Sequence, residues 1–563
     1  MSDVSPPEPS VRRSAAARLL FWCAAALLVA LKLALISDLS VQIVYGPLDD
    51  GLYVDRALRL LDGQGFGPYD SHILSKLPGF SFWLAGTRLL GLPYLFTVNV
   101  IYIAAGLYFA AGMLAARAHR GIVLAALALY LFNPVTFGSE WIRVLREPLG
   151  TGFLVLQCAA LLHIYVAIDQ RRMPLWHILA FSLVFGFALL VREDDRLLWG
   201  LLALALAGAL WRARRHFPKA LAPIALLAAV STGCALGFDA LARSFVERHY
   251  GLPIIYELGE GEYPRMLAAA RSVASARYNR LAMVTQESLS KLKAEVPLLS
   301  KAIERLPQPG YGTESCRIYG VCSEIAFGWM PFFLKDAAFD AGLTPSLPQG
   351  QQYFQAVRLQ IEQACREKRL DCLDRGQGPV PTMQLQWTRA LVKEWVLHAR
   401  MAILPEPYLV EEPGVVFANV PVPAGRRFQA VTMTDYFDSK LQEGIGDRPG
   451  SRPYANPLAG WRAALVRPLQ LVAAALLFLS AMAAALWAFS TRRMVCSPLA
   501  AVGIVVVAYS VLRVTALAYV ALFFGSFFSR LMFSIYSVML LASLPLIAET
   551  ALEWLRARGA KEP

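Results

Sequence analysis

Charged residues are scarce in this sequence. They make up 17% of its 563 residues, whereas hydrophobic residues make up 56%, and the mean hydropathy is +0.46. Soluble domains usually contain about 25% charged residues, so the shortage of charge excludes an ordinary soluble protein. Several apolar stretches exceed the roughly 18 residues that a helix needs to cross a bilayer. The sequence therefore predicts an all-α polytopic membrane protein.

Other features that the sequence lacks exclude further classes. No internal repeat is evident, which argues against a transporter built from inverted halves. The net charge of +13 comes from short basic clusters between apolar runs, which argues against nucleic-acid binding. Histidine is rare, and only His72 lies near the acidic residues described below, which argues against a zinc site. No A-x-A cleavage site follows the first apolar run, so we expect a retained helix there.

The apolar runs predict about ten transmembrane helices. They lie near residues 19–38, 94–116, 121–138, 148–168, 173–191, 197–211, 219–241, 465–490, 497–519 and 525–547. With a cytoplasmic N-terminus, every basic cluster then falls on the cytoplasmic side, as the positive-inside rule requires. The opposite side receives a first loop at 39–93 and a long segment at 242–462.

This topology predicts three parts of the chain. Residues 1–241 form a transmembrane module, 242–462 form a mainly α extracytoplasmic domain between spans seven and eight, and 463–563 form C-terminal transmembrane helices. The Arg- and Ala-rich composition indicates a GC-rich bacterial source. We therefore expect a multi-pass protein of the bacterial inner (plasma) membrane, with its site facing the periplasm.

Four of the eight cysteines lie in the long segment, and the other four lie in apolar spans. Thiols on the extracytoplasmic side favour two disulfides in an oxidising compartment. The sequence allows three pairings, and the short spacings favour Cys316–Cys322 and Cys365–Cys372. Four reduced, partly buried thiols are the alternative.

Acidic residues on the extracytoplasmic side gather at helix ends. They are Asp49 and Asp50 after span one, Glu147 at the start of span four, and Glu193, Asp194 and Asp195 between spans five and six. Basic residues accompany them on a side where the positive-inside rule does not call for cations: Lys76, Arg143, Arg146, Arg192, Arg196 and Arg530. A lipid-linked phosphate would explain these cations, because Lys and Arg pair with phosphate through charge-assisted hydrogen bonds.

Each acidic group also has a purely structural interpretation. Glu147 precedes Pro148, and an acid in the first turn of a helix interacts favourably with the helix dipole. Asp49 and Asp50 could open the next helix in the same way, and REDDR could be a solvated, self-neutralising turn. The functional interpretation depends on all three groups occurring together on one side.

These motifs resemble the GT-C superfamily of membrane glycosyltransferases, which includes the protein O-mannosyltransferases and the aminoarabinose transferases of lipid A. Members have an acidic pair followed shortly by Tyr in the first loop, as in Asp49-Asp50-Gly51-Leu52-Tyr53. They often have Lys-Pro-Pro further along, from which Lys76-Leu77-Pro78 departs at its middle residue. An acid followed by Pro then starts the fourth span, as in Glu147-Pro148, and an Arg near a late span matches Arg530. The resemblance covers residues 15–210 well, the last spans loosely and the inserted domain not at all.

The resemblance implies a GT-C fold and a hexosyl- or pentosyltransferase that is dependent on a polyprenyl-phosphate sugar. Such enzymes transfer the sugar to an acceptor hydroxyl of a glycan, lipid or protein, with inversion at the anomeric carbon. A carboxylate would act as the base and cations would stabilise the leaving phosphate. We assign Asp49, Asp50 and Glu147 to catalysis, with Asp49 preferred over Asp50 as the base. The further assignments are Lys76, Arg146, Arg192 and Arg530 to the donor phosphate, and Tyr53, Arg56, Asp194 and Asp195 to substrate binding.

The sequence allows alternatives for the cofactor and for the function. The assignment includes no metal ligand, although metal dependence varies in the superfamily and a divalent cation, Mg or Mn, is an alternative role for the acids. A transporter or flippase of a lipid-linked or anionic solute would use charges near mid-membrane, where Lys32 and Arg513 lie. A non-catalytic assembly or sensor protein would explain the inserted domain but not the converging carboxylates.

Overall fold

The computed structural model describes most of the chain. The described residues are 9–43, 49–213, 217–276, 279–304, 310–373, 381–404, 415–416, 422–434, 436–438, 443–445, 456–489, 497–525 and 529–559. Residues 44–48 of the first loop lie outside them, as do parts of the predicted domain at 242–462.

Within these residues the chain is mainly α-helical, which confirms the predicted fold class. The helices, numbered α1–α21 in chain order, are Pro9–Leu35, Asp50–Leu61, Gly79–Leu89, Tyr94–Ala115, Arg120–Leu131, Ser139–Ile142, Arg146–Asp169, Leu175–Ala188, Leu198–Ala213, Phe217–Tyr250, Glu262–Ser272, Gln286–Glu295, Pro297–Ile303, Gly310–Tyr319, Met330–Asp340, Leu347–Arg366, Thr388–Ile403, Val422–Thr432, Ala459–Phe489, Pro498–Phe524 and Phe533–Gly559. Short 3-10 helices span Pro134–Phe137, Glu193–Leu197, Leu385–Trp387 and Ser529–Met532.

Three short strands complete the described elements. They are β1 (Val415–Val416), β2 (Tyr436–Asp438) and β3 (Glu443–Ile445). β1 runs parallel to β2, and β2 runs antiparallel to β3 with Tyr436 opposite Ile445.

Nine helices of the described chain are long and apolar enough to cross a membrane, judged by length and composition. They are α1, α4, α7, α10, α19, α20 and α21, together with α5 counted with the 3-10 helix Pro134–Phe137 and α9 counted with the 3-10 helix Glu193–Leu197. The span predicted near 173–191 is the shorter helix α8, whose 14 residues extend about 21 Å at 1.5 Å per residue. The chain nevertheless returns along α8 to the end at which α7 begins, because Glu193 beyond α8 contacts Arg146 at the start of α7. α8 packs against α7 and α10.

α7 is the most enclosed of these helices and packs against α4, α8, α9, α20 and α21. Its close approach to α4 depends on Gly152, because a Cβ at that position would lie 2.7 Å from the side chain of Ile101. The N-terminus of α7, which carries Arg146 and Glu147, is thereby fixed among the other helices.

Helix α20 has clear capping residues at both of its ends. The Ser497 hydroxyl accepts a hydrogen bond from the backbone N–H of Ala500, and Pro498 occupies the first turn. The helix ends at Gly525, whose φ of +80° favours glycine.

Helices α11–α16 share a hydrophobic core of their own, which also contains Phe523 at the end of α20. The segment FGWMPFFL belongs to this core and also docks on α20, since the Phe327 ring lies 5.7 Å from Phe523 and 4.9 Å from Phe524. α17 runs antiparallel to α20. The Trp387 ring packs against the Phe523 ring, and Trp395 Nε1 donates a hydrogen bond to the Thr515 hydroxyl. The inserted segment therefore packs closely on the membrane helices.

Two disulfides lie in this segment. Cys316 pairs with Cys322 at the end of α14, and Cys365 pairs with Cys372 beyond the end of α16. Both pairings are those that the short spacings favour, so the predicted disulfides are confirmed.

Candidate active site

The candidate site is assembled from four distant parts of the chain. Asp49 and Asp50 stand at the start of α2, Lys76 lies before α3, Glu147 lies in the first turn of α7, and Arg530 lies in the 3-10 helix before α21. Each of these elements begins or ends at the same end of the transmembrane helices. The structure thus brings together residues that the sequence predicts to converge.

Asp50 is fully buried and held by one arginine. Its Oδ1 and Oδ2 accept hydrogen bonds from Arg143 Nη2 at 2.7 Å and from Arg143 Nε at 3.1 Å. Burial raises the pKa of Asp50 to about 6, although Arg143 opposes this rise. Because both carboxylate oxygens are bound and the side chain is inaccessible, Asp50 fixes the start of α2 to the segment that precedes α7.

Asp49 has a different environment from its neighbour. Its side chain is 33% exposed, with Lys76 Nζ at 3.6 Å and Arg530 Nη2 at 3.5 Å. It makes no side-chain capping bond to α2, so the helix-opening interpretation does not account for its carboxylate. Burial raises the pKa of Asp49, but Lys76, Arg530, Arg146 and Arg143 together hold that pKa below its ordinary value. Asp49 is therefore an ionised and partly accessible carboxylate.

Glu147 is buried next to Arg530. Its Oε1 lies 3.6 Å from Arg530 Nε, and its buried Oε2 has no hydrogen-bond partner among the described residues. A buried carboxylate oxygen without a partner is unfavourable in a folded protein unless a ligand or water satisfies it. Glu147 can therefore accept a hydrogen bond from a bound hydroxyl group.

Glu140 is a site residue that the sequence interpretation missed. It accepts hydrogen bonds from Arg143 Nη1 at 3.0 Å and from Arg530 Nη1 at 3.0 Å. Glu140 thereby links the arginine that holds Asp50 to the arginine that flanks Asp49. The only sequence signal is its spacing of three residues from Arg143 in SEWIR, which puts two side chains on one helical face.

Arg146 and Tyr53 form the adjoining part of the site. Arg146 Nη1 lies 2.5 Å from Glu193 Oε2, and its guanidinium group lies 5.3 Å from the centre of the Tyr53 ring. Glu193 Oε1 also accepts a hydrogen bond from the backbone N–H of Leu77, beside Lys76. The Tyr53 hydroxyl is buried and lacks a hydrogen-bond partner in the described part of the chain. Tyr53 and Glu147 thus both offer polar atoms that remain to be satisfied.

The REDDR turn forms a closed charge network. Arg192 donates two hydrogen bonds to Asp194, at 2.9 and 2.8 Å. Arg513 from α20 reaches Asp194 at 2.6 Å, Asp195 at 3.3 Å and the Tyr509 hydroxyl at 3.2 Å. The Arg192 and Arg513 side chains are only 2% and 1% exposed. Both arginines and Asp195 are enclosed, whereas the Asp194 side chain is 23% exposed, so the geometry indicates a structural part beside the site for Arg192 and Asp195.

The Arg56 side chain also makes its contacts with other residues of the protein. Its buried guanidinium group donates hydrogen bonds to the carbonyl oxygens of Ile73 and Lys76 and lies over the Phe66 ring. It therefore contacts the backbone of the loop that carries Lys76, rather than facing Asp49.

The arrangement can bind an anion and accept a proton at neighbouring positions. Lys76 and Arg530 present two cations to one accessible carboxylate, with Glu147 beside them. In the described part of the chain, no group of three or more His, Cys, Asp or Glu side chains could hold a metal ion.

Comparisons with known proteins give a limited result. No protein-family model matches this sequence, and no curated protein matches it. A structure of ArnT from Cupriavidus metallidurans bound to undecaprenyl phosphate matches 97% of this chain and 80% of that chain, with 12% identity and a TM-score of 0.27. The apo structure of the same protein matches 95% and 78%, with 13% identity and a TM-score of 0.29.

ArnT, an aminoarabinose transferase, belongs to the GT-C class that the sequence motifs resemble.

Proposed function

We propose that this chain is a membrane glycosyltransferase that moves a sugar from a polyprenyl-phosphate donor to an acceptor hydroxyl. The observation that carries the proposal is the partly exposed carboxylate of Asp49 between Lys76 and Arg530. A phosphate at the membrane surface fits these cations, and the accessible carboxylate suits a base that acts next to it. The reaction takes place on the extracytoplasmic side, at the periplasmic face of a bacterial inner membrane.

In the proposed reaction, Asp49 accepts a proton and the two cations stabilise the leaving phosphate. The acceptor oxygen attacks the anomeric carbon from the face opposite the phosphate, its proton passes to Asp49, and the bond from that carbon to the phosphate oxygen breaks with inversion. The electron pair of the broken bond leaves on the phosphate, whose added negative charge Lys76 and Arg530 stabilise. When the phosphate engages both cations, their effect on Asp49 weakens, so the pKa of Asp49 rises toward its ordinary value and its basicity increases.

The buried residues around Asp49 orient the reactants in this proposal. Glu147 Oε2 and the Tyr53 hydroxyl both lack partners within the described residues, and both suit hydrogen bonds to sugar hydroxyls. Asp50 is not the base, because Arg143 occupies both of its oxygens. Its part is to keep Asp49 in position at the start of α2.

Replacement of Asp49 by Asn tests the assignment of the base. Loss of a positioned general base lowers the rate by about 10²–10⁴-fold, while the isosteric amide retains the fold. Sugar transfer in purified membranes, measured against a panel of polyprenyl-phosphate sugars, provides the readout. Asp55→Asn is the matched control, since Asp55 lies on the same helix with a 38% exposed side chain that pairs with Arg427. Full activity of D49N would remove Asp49 from the reaction.

Lys76→Ala tests the phosphate site. We expect a higher KM for the donor lipid, because one of the two cations beside Asp49 is lost. Lys291→Ala in the inserted segment, whose lysine pairs with Glu287 at 2.7 Å, is the control. An unchanged donor KM in K76A would contradict the placement of the phosphate.

The transporter alternative has no observation in its favour. It would use the intramembrane charges Lys32 and Arg513, but both have protein partners. Lys32 bonds to the Thr136 hydroxyl and lies over the Phe137 ring, and Arg513 pairs with Asp194 and Asp195. These contacts account for both buried cations without a transported solute.

A further inference from the structure

The loop segment 70–76, which carries Lys76, has no regular secondary structure and is held by its neighbours. On one side Arg56 donates hydrogen bonds to the carbonyl oxygens of Ile73 and Lys76. Within the segment, Asp70 Oδ1 accepts from the backbone N–H groups of His72 and Ile73 at 2.7 and 2.6 Å. The position of Lys76 therefore depends on contacts made along this segment.

Glu257 holds the other side of the same segment. Its backbone N–H donates to the carbonyl oxygen of Leu74 at 2.9 Å. Its fully buried carboxylate accepts hydrogen bonds from the Tyr69 hydroxyl at 3.1 Å, Lys335 Nζ at 2.6 Å and Gln351 Nε2 at 3.3 Å. Glu257 thus contacts the loop segment through its main chain, and it contacts Tyr69, the residue that precedes this segment, through its side chain.

The remaining partners of Glu257 belong to the inserted segment. Lys335 lies on α15 and Gln351 on α16, and the Lys335 side chain is 2% exposed. The next residue of α15, Asp336, lies 3.2 Å from His72 Nε2 in the loop. α15 therefore contacts the loop directly through Asp336 and indirectly through Lys335, which pairs with Glu257.

We propose that Glu257 and Lys335 are positioning residues, through which the inserted segment sets the place of Lys76 and hence the binding of the donor phosphate. This inference rests on the proposed function of Lys76. A buried ion pair is sensitive to the loss of one partner, because the remaining charge has neither water nor a counter-ion. When the pair is broken, Glu257 turns toward water and the loop that it holds moves with it. Displacements of about 1 Å at a reacting centre lower rates by roughly 10²-fold.

Binding of undecaprenyl phosphate to the purified full-length chain tests the inference without an assay for sugar transfer. Lys335→Met removes the cation but retains a long apolar side chain. We expect its dissociation constant for undecaprenyl phosphate to rise at least about tenfold, which corresponds to 1.4 kcal/mol. The double variant Glu257→Gln/Lys335→Met removes both charges, and we expect it to regain most of the lost affinity.

Two further variants separate positioning from general destabilisation. Arg369→Met is the matched control, because Arg369 lies in the inserted segment and pairs with Glu295 and Glu367; its affinity should equal that of the wild type. Tyr69→Phe removes a single hydrogen bond to Glu257 and should weaken binding of undecaprenyl phosphate about two- to fivefold. It replaces K335M as the test variant if K335M does not fold. In a transfer assay kcat/KM for the donor should fall in K335M and recover in the double variant, a recovery that a general structural defect would not produce.

The outcomes distinguish the two proposals. Wild-type affinity in folded K335M, or in Y69F where K335M does not fold, overturns the positioning inference and leaves the proposed function standing. A double variant that binds no better than K335M also overturns it. A wild-type chain that does not bind undecaprenyl phosphate overturns the proposed function and this inference together.

Discussion

Removal of Arg513 should destabilise the protein more than the loss of any surface arginine. The side chain is 1% exposed and contacts Asp194 and Asp195. The buried network contains two arginines and two aspartates, so Arg513→Met leaves two carboxylates facing Arg192 alone. Loss of one partner from a buried pair destabilises a fold by roughly 3–5 kcal/mol. Loss of a solvent-exposed pair, such as that of the 42% exposed Arg369, changes stability by at most about 1 kcal/mol.

A charge-balanced double variant sharpens this prediction. Arg513→Met/Asp195→Asn removes one charge of each sign, and it should be more stable than R513M even though it carries an additional substitution. Thermal unfolding of the full chain in detergent, with R369M as the control, measures all three variants. The reasoning is refuted if R513M unfolds at the wild-type temperature, or if the double variant is less stable than R513M.

Acidification should affect stability and activity in opposite directions at Asp50. Burial raises its pKa from 3.8 to about 6 against the effect of Arg143, so between these values the folded chain binds a proton that the unfolded chain does not. Asp50 therefore adds stability as the pH falls through about 6, while its protonation releases Arg143 and transfer activity declines. Parallel pH profiles of activity and thermal unfolding check this, and activity that stays constant across the interval would contradict it. Replacement of Cys365 and Cys372 by Ser should lower stability by about 2 kcal/mol for so short a loop; equal unfolding temperatures of this variant and the wild type would count against a stabilising disulfide.

The sequence was sufficient to predict features that depend on local pattern. Apolar runs located the membrane helices, and short spacings favoured the disulfide Cys316–Cys322 that the structure contains. The first-loop pair Asp49 and Asp50 was singled out by its neighbours along the chain. Hydropathy could not reveal that helix α8 ends at Ala188, because the apolar residues continue beyond that position.

Charge pairing could not be predicted, because partners lie far apart in sequence. Asp194 pairs with Arg513, 319 residues later, in addition to Arg192 in the same turn, and the alternative of a self-neutralising turn accounts only for the second pair. The same reason hid the difference between Asp49 and Asp50: adjacent positions at a helix start point in different directions, and only packing decides which of them is enclosed by Arg143.

The long chain separation within the site has a consequence for biosynthesis. Arg530 follows Asp49 by 481 residues, and at about 5–20 residues per second the ribosome needs roughly 25–100 s to make that stretch. During this time the nascent chain already holds both Asp49 and Glu147 in the membrane but lacks one of the two cations that flank Asp49. If the proposed function holds, the site is complete only after Arg530 and α21 have been inserted.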